Sequence, residues 1–372
     1  MRPLPSATIP MPLVAIIPKP HAAVEICVVS LPELEQDSAI LEVELSEVCG
    51  TDVYLQQGRL AGVPYPLIPG HVSVGRLGKI RGHLLDIAGV PFREGDRVTF
   101  LDVHRTCNAC WFCLVAKAST RCPHRKVYGI TYGLSDGLCG GWAEQIYLKP
   151  ATRCIRVDAE PERFMAGGCA LPTALHAIER GNVRLGDTVL VLGSGPVGIA
   201  AIILAMMSGA LRVLCIGAPQ HRLEAAVQAG AYAVLNIETH RVLERISWVL
   251  EHTYGRGADV TIEATGAPEA VVQAMRYTRD AGRVVVVGQY TDHGPASFNP
   301  HLDINKKQLE VRGCWGSDFS HFFRSVQIIS DPLRSAPWDA MTLSKYDLSH
   351  ANEALADVAS GKVLKALIEP RV

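Results

Sequence analysis

Four cysteines lie close together about a third of the way along the chain. They are spaced Cys-x2-Cys-x2-Cys-x8-Cys, at Cys107, Cys110, Cys113 and Cys122. Four thiolates on one short loop can surround a zinc ion as a closed tetrahedron, the usual structural zinc site. An iron–sulfur cluster and disulfide bonds are the alternatives, but the last gap is longer than in a ferredoxin-type run of cysteines. We therefore expect a structural zinc site here.

A glycine-rich turn is the second feature that could do chemistry. Residues 193–198 read Gly-Ser-Gly-Pro-Val-Gly, after an apolar strand and before a helical pattern. In this setting Gly193 permits a tight turn, Gly195 lets the backbone approach a pyrophosphate, and Gly198 lets helix and strand pack closely. The helix start, with Pro196 and Val197, would offer its dipole and N–H groups to the phosphates. The turn predicts a dinucleotide site; a strand-to-helix turn without a ligand is the alternative.

The identity of the dinucleotide depends on a position about 20 residues further on, where an acidic residue binds the ribose hydroxyl of NAD. Gly217 stands at that position. Nothing there repels the 2′-phosphate of NADP, and His221 or Arg222 could pair with that phosphate, although Arg222 could equally be a solvated helix residue. The sequence leaves NAD and NADP as alternatives.

Composition excludes several classes of protein. The 372 residues include 36 Lys plus Arg and 37 Asp plus Glu, so no excess of one charge favours nucleic acid or a membrane surface. No apolar run is long enough for a membrane span. Pro3, Pro5 and Pro10 interrupt the apolar start, which makes a secretion leader a poor match. We expect a cytoplasmic protein of two domains that acts on a small molecule.

Strand and helix patterns divide the chain. Residues 1–165 are rich in short apolar runs separated by turn residues, which is typical of β structure. From Thr188 onward, strands alternate with helices, and this βαβ alternation predicts a parallel sheet covered on both faces. The predicted strands are 188–192, 211–216, 232–235, 259–263 and 283–287, and the predicted helices are 197–208, 221–229, 241–252 and 268–278.

Three further residues, Cys49, His71 and Cys169, could bind a metal, but each also has an ordinary explanation. A lone cysteine is usually a small core residue, and a lone histidine is usually hydrogen-bonded or on the surface. Spacing alone does not join them.

The order of motifs along the chain carries a resemblance to a known family. The motifs are Cys-Gly-Thr-Asp at 49–52, Pro-Gly-His at 69–71, the four-cysteine loop, Gly-Gly-Trp-Ala-Glu at 140–144, and the glycine turn. Together they resemble the zinc-dependent medium-chain alcohol and polyol dehydrogenases, a group that includes sorbitol and threonine dehydrogenases. The resemblance implies an α/β protein with a GroES-like β-rich catalytic domain, residues 1–168 plus 307–372. An inserted Rossmann domain, residues 169–306, would bind NAD(P).

The same resemblance assigns roles to residues of the catalytic domain. Cys49, His71 and Cys169 match the ligands of a catalytic zinc, which keeps a fourth position open; with the cysteine loop, this implies two zinc ions per chain. Asp52 matches the carboxylate that orients the ligand histidine. Thr51 matches the hydroxyl that bonds the substrate oxygen and starts a proton relay.

Several other positions bear on how the proposed site would work. Val72 replaces the glutamate that often follows the ligand histidine, so a negative charge beside the metal is expected to be lost. Tyr54 stands where many relatives have a relay histidine, and a phenol with a pKa near 10 is a poorer proton acceptor. Lys362 and Lys365 could reach the pyrophosphate, as a basic residue near this end does in relatives.

The implied function is zinc-dependent hydride transfer between a secondary alcohol, polyol or cyclitol and NAD(P), in a homodimer or homotetramer. One alternative is an NADPH-dependent aldehyde or ketone reductase. A second is a zinc-stabilised binding protein without catalysis, which Val72 and Tyr54 would favour.

Overall fold

The computed structural model describes residues 11–371. Pro3, Pro5 and Pro10, on which the expectation about a secretion leader rests, lie outside the described residues. Within residues 11–371, no helix has the length and apolar character needed to cross a bilayer.

The strands are short in both halves of the chain. Those of the N-terminal half are β1 (Leu13–Ile16), β2 (Glu25–Val28), β3 (Ser38–Val48), β4 (Ser73–Arg81), β5 (Arg97–Phe100), β6 (Val103–Arg105), β7 (Lys126–Val127), β8 (Gln145–Leu148) and β9 (Cys154–Arg156). Those that follow are β10 (Thr188–Leu192), β11 (Arg212–Gly217), β12 (Ala233–Asn236), β13 (Ala258–Glu263), β14 (Thr278–Val286), β15 (Glu310–Gly313), β16 (Leu343–Tyr346) and β17 (Lys365–Ile368).

The α-helices concentrate after residue 160. They are α1 (Gly50–Gln56), α2 (Trp111–Leu114), α3 (Pro161–Gly167), α4 (Ala170–Gly181), α5 (Pro196–Met207), α6 (Gln220–Gln228), α7 (Val242–His252), α8 (Pro268–Tyr277), α9 (Phe319–Ser330) and α10 (Ala351–Ser360).

Six strands form the parallel sheet that the βαβ alternation predicts, in the order β12-β11-β10-β13-β14-β15. Its central strand β10 is an uninterrupted apolar run, and Val189, Leu190 and Val191 are completely buried. Such runs suit strands with both faces covered by helices. The mixed α/β class expected from the sequence is therefore confirmed.

The helix after β10 is apolar on all sides. Pro196 occupies the first position of α5, where its missing N–H costs nothing. Every residue from Gly198 to Ala205 is buried, because α5 lies between the parallel sheet and α4. This buried helix fixes the direction in which the glycine turn presents its backbone.

Seven strands form the second sheet, around the long strand β3. The order is β16-β17-β3-β4-β5-β9, with β8 also pairing β3. Strand β17, near the C-terminal end of the described residues, belongs to this sheet and pairs antiparallel with β3. Strand β15 belongs to the parallel sheet, which therefore extends past residue 306, the expected end of the Rossmann domain.

One apolar core joins the two halves. It includes Leu45 and Val72 from the first half together with Leu171, Val191 and Ile199 from the second. The cleft between the two sheets therefore rests on a continuous core, which holds residues from both halves at fixed positions.

Candidate metal centres and nucleotide cleft

The structure brings together three residues that are distant in sequence. Cys49 is the residue at which β3 ends and α1 begins, His71 lies just before β4, and Cys169 joins α3 to α4. The Sγ atom of Cys49 lies 3.9 Å from Nε2 of His71. The ligand atoms of all three side chains lie within 4.8 Å of one another.

This donor set fits a zinc ion. Ordinary Zn–S and Zn–N bond lengths in a tetrahedron place sulfur and nitrogen about 3.6 Å apart, close to the observed separation. A hydrogen bond with Cys169 holds the pKa of Cys49 well below its usual range, whereas sharing that bond raises the pKa of Cys169. The thiolate is the form of cysteine that binds metals. Two sulfurs and one imidazole also leave a fourth position for a small ligand.

Asp52 binds backbone N–H groups next to two of the candidate metal ligands. Its Oδ2 accepts the N–H of Cys49 at 2.9 Å, and its Oδ1 accepts the N–H of Gly70 at 3.2 Å. Each carboxyl oxygen thus accepts a backbone N–H, and no hydrogen bond joins Asp52 to the His71 ring among the described residues. Nδ1 of His71 has no hydrogen-bond partner among residues 11–371. Burial, followed by the charge of Cys49, raises the pKa of Asp52 to about 8.

A buried ion pair lies against the third ligand. Oε2 of Glu47 accepts the N–H of Cys169 at 2.7 Å, and Oε1 lies 3.5 Å from its Sγ. Oε1 also lies 2.8 Å from Nζ of Lys365, and the two charged side chains are 2% and 0% exposed. This pair fixes both the backbone and the sulfur of Cys169.

Glu47 also lies close to Val72. The backbone N–H of Glu47 donates to the carbonyl of Val72 at 2.9 Å, just beyond the point where β3 and β4 pair. The Glu47 carboxylate lies beside Cys169, but its charge is paired with that of Lys365, so the loss of negative charge expected from Val72 stays a prediction. Lys365 borders the same cavity as the glycine turn, but its Nζ is engaged in this pair, so its contact with a pyrophosphate stays a prediction.

Gly168 makes room for the ion pair. Its φ is +46°, and a Cβ there would lie 2.0 Å from Oε2 of Glu47 and 2.5 Å from Nζ of Lys365. A side chain at residue 168 would therefore displace the group that holds Cys169.

The four-cysteine loop forms a second cluster. Cys107, Cys110, Cys113 and Cys122 hold their sulfurs within 4.8 Å of one another. The Sγ atoms of Cys107 and Cys122 are 3.6 Å apart, as are those of Cys110 and Cys113. A disulfide requires about 2.05 Å, whereas sulfurs around one zinc lie about 3.8 Å apart. The spacing fits zinc, and a four-iron cluster would bind each thiolate at a different iron, further apart.

The glycine turn adopts the geometry expected of a phosphate loop. Gly193 has φ +105°, and a Cβ on Gly198 would lie 1.9 Å from the carbonyl oxygen of Gly193. A Cβ on Gly195 would meet nothing within 4 Å among residues 11–371. Gly193 and Gly198 are thus required by the fold, while Gly195 borders open space that a pyrophosphate could occupy.

The space beside Gly217, where an acidic side chain was expected, is occupied by Ser194. A Cβ on Gly217 would lie 2.5 Å from Oγ of Ser194, which donates to the carbonyl of Ala218 at 3.0 Å. The serine therefore fills the space of a carboxylate side chain. Arg222 donates from Nη2 to the carbonyl of Val363 at 2.7 Å, while its buried Nε has no partner within the described chain.

One cavity of about 460 Å³ connects the metal ligands with the nucleotide turn. It is bordered at one end by the Cys49, His71 and Cys169 cluster and at the other by Gly195, Pro196, Val197 and Arg222. Gly193, Gly198 and Gly217 shape the turn without lining the cavity.

Thr51 and Tyr54 also line this cavity, on the first two turns of α1. The ring of Tyr54 packs edge-on against His293, with centroids 5.6 Å apart. Burial raises the pKa of Tyr54, so its phenol is a still poorer proton acceptor than an exposed tyrosine.

Among the lining residues that sequence reasoning missed are Asp102, Arg125, Tyr290 and Trp315. Only the basic run at residues 121–126 offered a signal, since it reads Arg-Cys-Pro-His-Arg-Lys. The others follow strands at scattered positions.

Comparison with known proteins agrees with both halves of this structure. Residues 35–159 match the alcohol dehydrogenase GroES-like domain family, and residues 196–331 match the zinc-binding dehydrogenase family. The 5-exo-hydroxycamphor dehydrogenase of Pseudomonas putida is 31% identical over 89% of this chain and 91% of its own length.

Two further proteins extend the likeness over almost the whole chain. D-arabinitol dehydrogenase 1 of Uromyces fabae is 27% identical over 98% of this chain and 99% of its own length. An alcohol dehydrogenase structure from Thermotoga maritima has a TM-score of 0.91 and 30% identity, covering 97% of this chain and 99% of the other. The chain therefore belongs to the zinc-dependent medium-chain dehydrogenases and is an NAD(P)-dependent alcohol dehydrogenase of that family.

Proposed function

We propose that this protein transfers hydride between NAD(P) and a secondary alcohol, polyol or cyclitol, with Cys49, His71 and Cys169 as the ligands of its catalytic zinc. The observation that carries the proposal is the shared cavity, because the three metal-ligating side chains and the glycine turn border the same space. Dehydrogenation requires the alcohol carbon to lie against the nicotinamide, and one cavity can hold both. Relatives that act on hydroxycamphor, arabinitol and sorbitol support this substrate range.

The bound groups and the residues that line the cavity would each have a separate role in the reaction. When bound, zinc supplies a Lewis acid for the alcohol oxygen, and the nicotinamide nucleotide supplies the hydride acceptor. The Thr51 hydroxyl lines the cavity beside Cys49, where it can accept a hydrogen bond from the alcohol and pass its own proton on to water. Val127, Ile130 and Phe322 line the same space, and these apolar side chains exclude water from the reacting atoms.

The nucleotide is bound by the turn at residues 193–198 and the start of α5. Both NAD and NADP fit the proposal, since Gly217 offers no carboxylate and Arg222 borders the cavity. The reverse reaction, NADPH-dependent reduction of an aldehyde or ketone, remains the second candidate because the same residues would serve it.

Absorbance at 340 nm tests the proposal. The zinc-loaded protein is incubated with secondary alcohols, polyols and cyclitols and with each nucleotide, and the matching carbonyls are tested with NADH and NADPH. Turnover by the wild type and its loss in His71→Ala would support the proposal. Turnover of none of the compounds, in either direction, would contradict it.

Three expectations from the sequence extend the proposal. The domain division at residues 168 and 306, the homodimer or homotetramer, and the cytoplasmic location stay predictions. Size-exclusion chromatography with light scattering measures the oligomeric state directly.

A further inference from the structure

An arginine borders the cavity beside the metal ligands. Arg125 lies immediately before β7 and lines the same space as Thr51 and His71. Its Nη1 donates to the carbonyl oxygen of Thr120 at 3.1 Å. Within residues 11–371 its guanidinium makes no other hydrogen bond and has no carboxylate oxygen within 4.0 Å. Since a guanidinium has five N–H donors, most of its donors are free for a ligand.

Aromatic stacking holds this guanidinium in place. It lies 4.9 Å from the ring centre of Trp315, which is stacked on Tyr290 with centroids 5.6 Å apart and planes 12° apart. Nε1 of Trp315 donates to the carbonyl of Tyr290 at 3.2 Å, which fixes the indole. Stacking orients an arginine and leaves its in-plane N–H groups available. The site is therefore preorganised.

The charges around Arg125 favour an anion. Residues 121–126 contain three cationic side chains and a histidine, with no acidic residue among them. Two acidic side chains line the cavity: Glu47, which is paired with Lys365, and Asp102, which forms no ion pair with Arg125 among the described residues. Val127 and Ile130 line the same cavity with apolar side chains, and apolar surroundings strengthen a charge-assisted hydrogen bond.

We propose that Arg125 recognises an oxyanion, a carboxylate or a phosphate, carried by the alcohol substrate. This inference rests on the proposed function and narrows its substrate class to hydroxy acids and hydroxyalkyl phosphates. The planar fork of arginine matches either anion with two parallel hydrogen bonds. Anchoring the anion at Arg125 would hold the hydroxyl of the same molecule beside Thr51 and the metal ligands.

Matched pairs of substrates test this recognition. 3-Hydroxybutanoate is compared with 3-hydroxybutanamide, and 2-hydroxypropyl phosphate with propane-1,2-diol, because each pair differs in the anionic group. We expect kcat/KM to favour at least one anion over its neutral partner by about tenfold or more. The pair with the larger preference identifies whether the site takes carboxylate or phosphate.

Three variants locate the effect. Arg125→Gln should lower kcat/KM for the preferred anion by about 10- to 100-fold and leave the neutral partner within about twofold. Arg125→Lys keeps the positive charge but not the planar fork, so its kcat/KM for the preferred anion should fall less than that of Arg125→Gln. Arg121→Gln is the matched control, since Arg121 lies 5.0 Å from the same indole but does not line the cavity. Circular dichroism melts establish that each variant folds.

Calorimetry separates recognition from catalysis. Butanoate and propyl phosphate have no hydroxyl to oxidise, and binding of one of them to the zinc-loaded protein should disappear in Arg125→Gln. If that binding is present but no alcohol is oxidised, the recognition stands and the proposed function fails. If alcohols are oxidised but neutral partners react as well as anions, and Arg125→Gln changes neither binding nor kcat/KM, the inference is overturned while the function stands.

Discussion

The Glu47 carboxylate and the Lys365 ammonium form a 2.8 Å ion pair that is almost completely buried beside Cys169. Burying two charges is costly unless each remains paired and hydrogen-bonded. Here the carboxylate also accepts the N–H of Cys169, so the pair holds a metal ligand in position. We interpret Glu47 and Lys365 as positioning residues for the catalytic zinc.

Glu47→Gln should therefore weaken both zinc binding and the fold. It leaves Lys365 buried without its counter-charge, which costs about 3–5 kcal/mol of unfolding free energy. The double variant Glu47→Gln/Lys365→Met removes both charges and should regain most of that loss, while zinc affinity stays reduced. Urea unfolding and chelator competition measure the two effects. Equal stability of the single variant and the wild type would refute this interpretation.

The structural cluster makes a separate prediction. Cys110→Ser removes one of four sulfurs and should lower the zinc content by one ion per chain and the melting temperature, because a structural zinc site contributes directly to folding. Cys27→Ser is the control, since Cys27 lies on β2 outside both clusters. Unchanged zinc content and melting in Cys110→Ser would argue against the structural site.

Two glycines of the nucleotide turn should respond differently to the same substitution. Gly198→Ala places a Cβ 1.9 Å from the carbonyl oxygen of Gly193, so the backbone must move, at a cost of about 1–3 kcal/mol. Gly195→Ala points its Cβ into open space and should leave the stability nearly unchanged while weakening nucleotide binding. Thermal melts and nucleotide titration by fluorescence distinguish the two. Normal nucleotide affinity in Gly195→Ala would place the pyrophosphate elsewhere.

Thr51 should matter for proton transfer and little for stability. Thr51→Ala removes the hydroxyl that borders the cavity beside Cys49 and should lower kcat by roughly 10²-fold or more. Thr51→Ser keeps the hydroxyl and should retain most of the activity. Steady-state kinetics over a range of pH compares the two variants. If alanine and serine behave alike, the hydroxyl has no part in the reaction.

Much of the fold could be predicted from local patterns. The strand at 188–192 and the turn after it were predicted with correct bounds because an apolar run and three glycines leave few alternatives. Strand β15, Glu310–Gly313, was missed because it lies at the sheet edge, carries charged residues and is mostly exposed. An edge strand is paired on one side only, so hydrophobicity does not mark it.

The site was less predictable because its members meet across long separations. Cys49, His71 and Cys169 were joined by resemblance, and no spacing rule connects them. The pairing of Glu47 with Lys365 depends on β17 lying next to β3, which local sequence does not encode. The role of Asp52 was predicted as a contact with His71, but a buried carboxylate can equally satisfy the backbone N–H groups around it.

The central claim is that Cys49, His71 and Cys169 hold one zinc ion independently of the cysteine loop. Mass-spectrometric metal analysis of wild type and His71→Ala, each dialysed against the same weak chelator, tests it most directly. We predict two zinc ions per wild-type chain and one in His71→Ala, with the melting temperature largely retained. Two zinc ions in His71→Ala, or a single ion in the wild type, would contradict the claim.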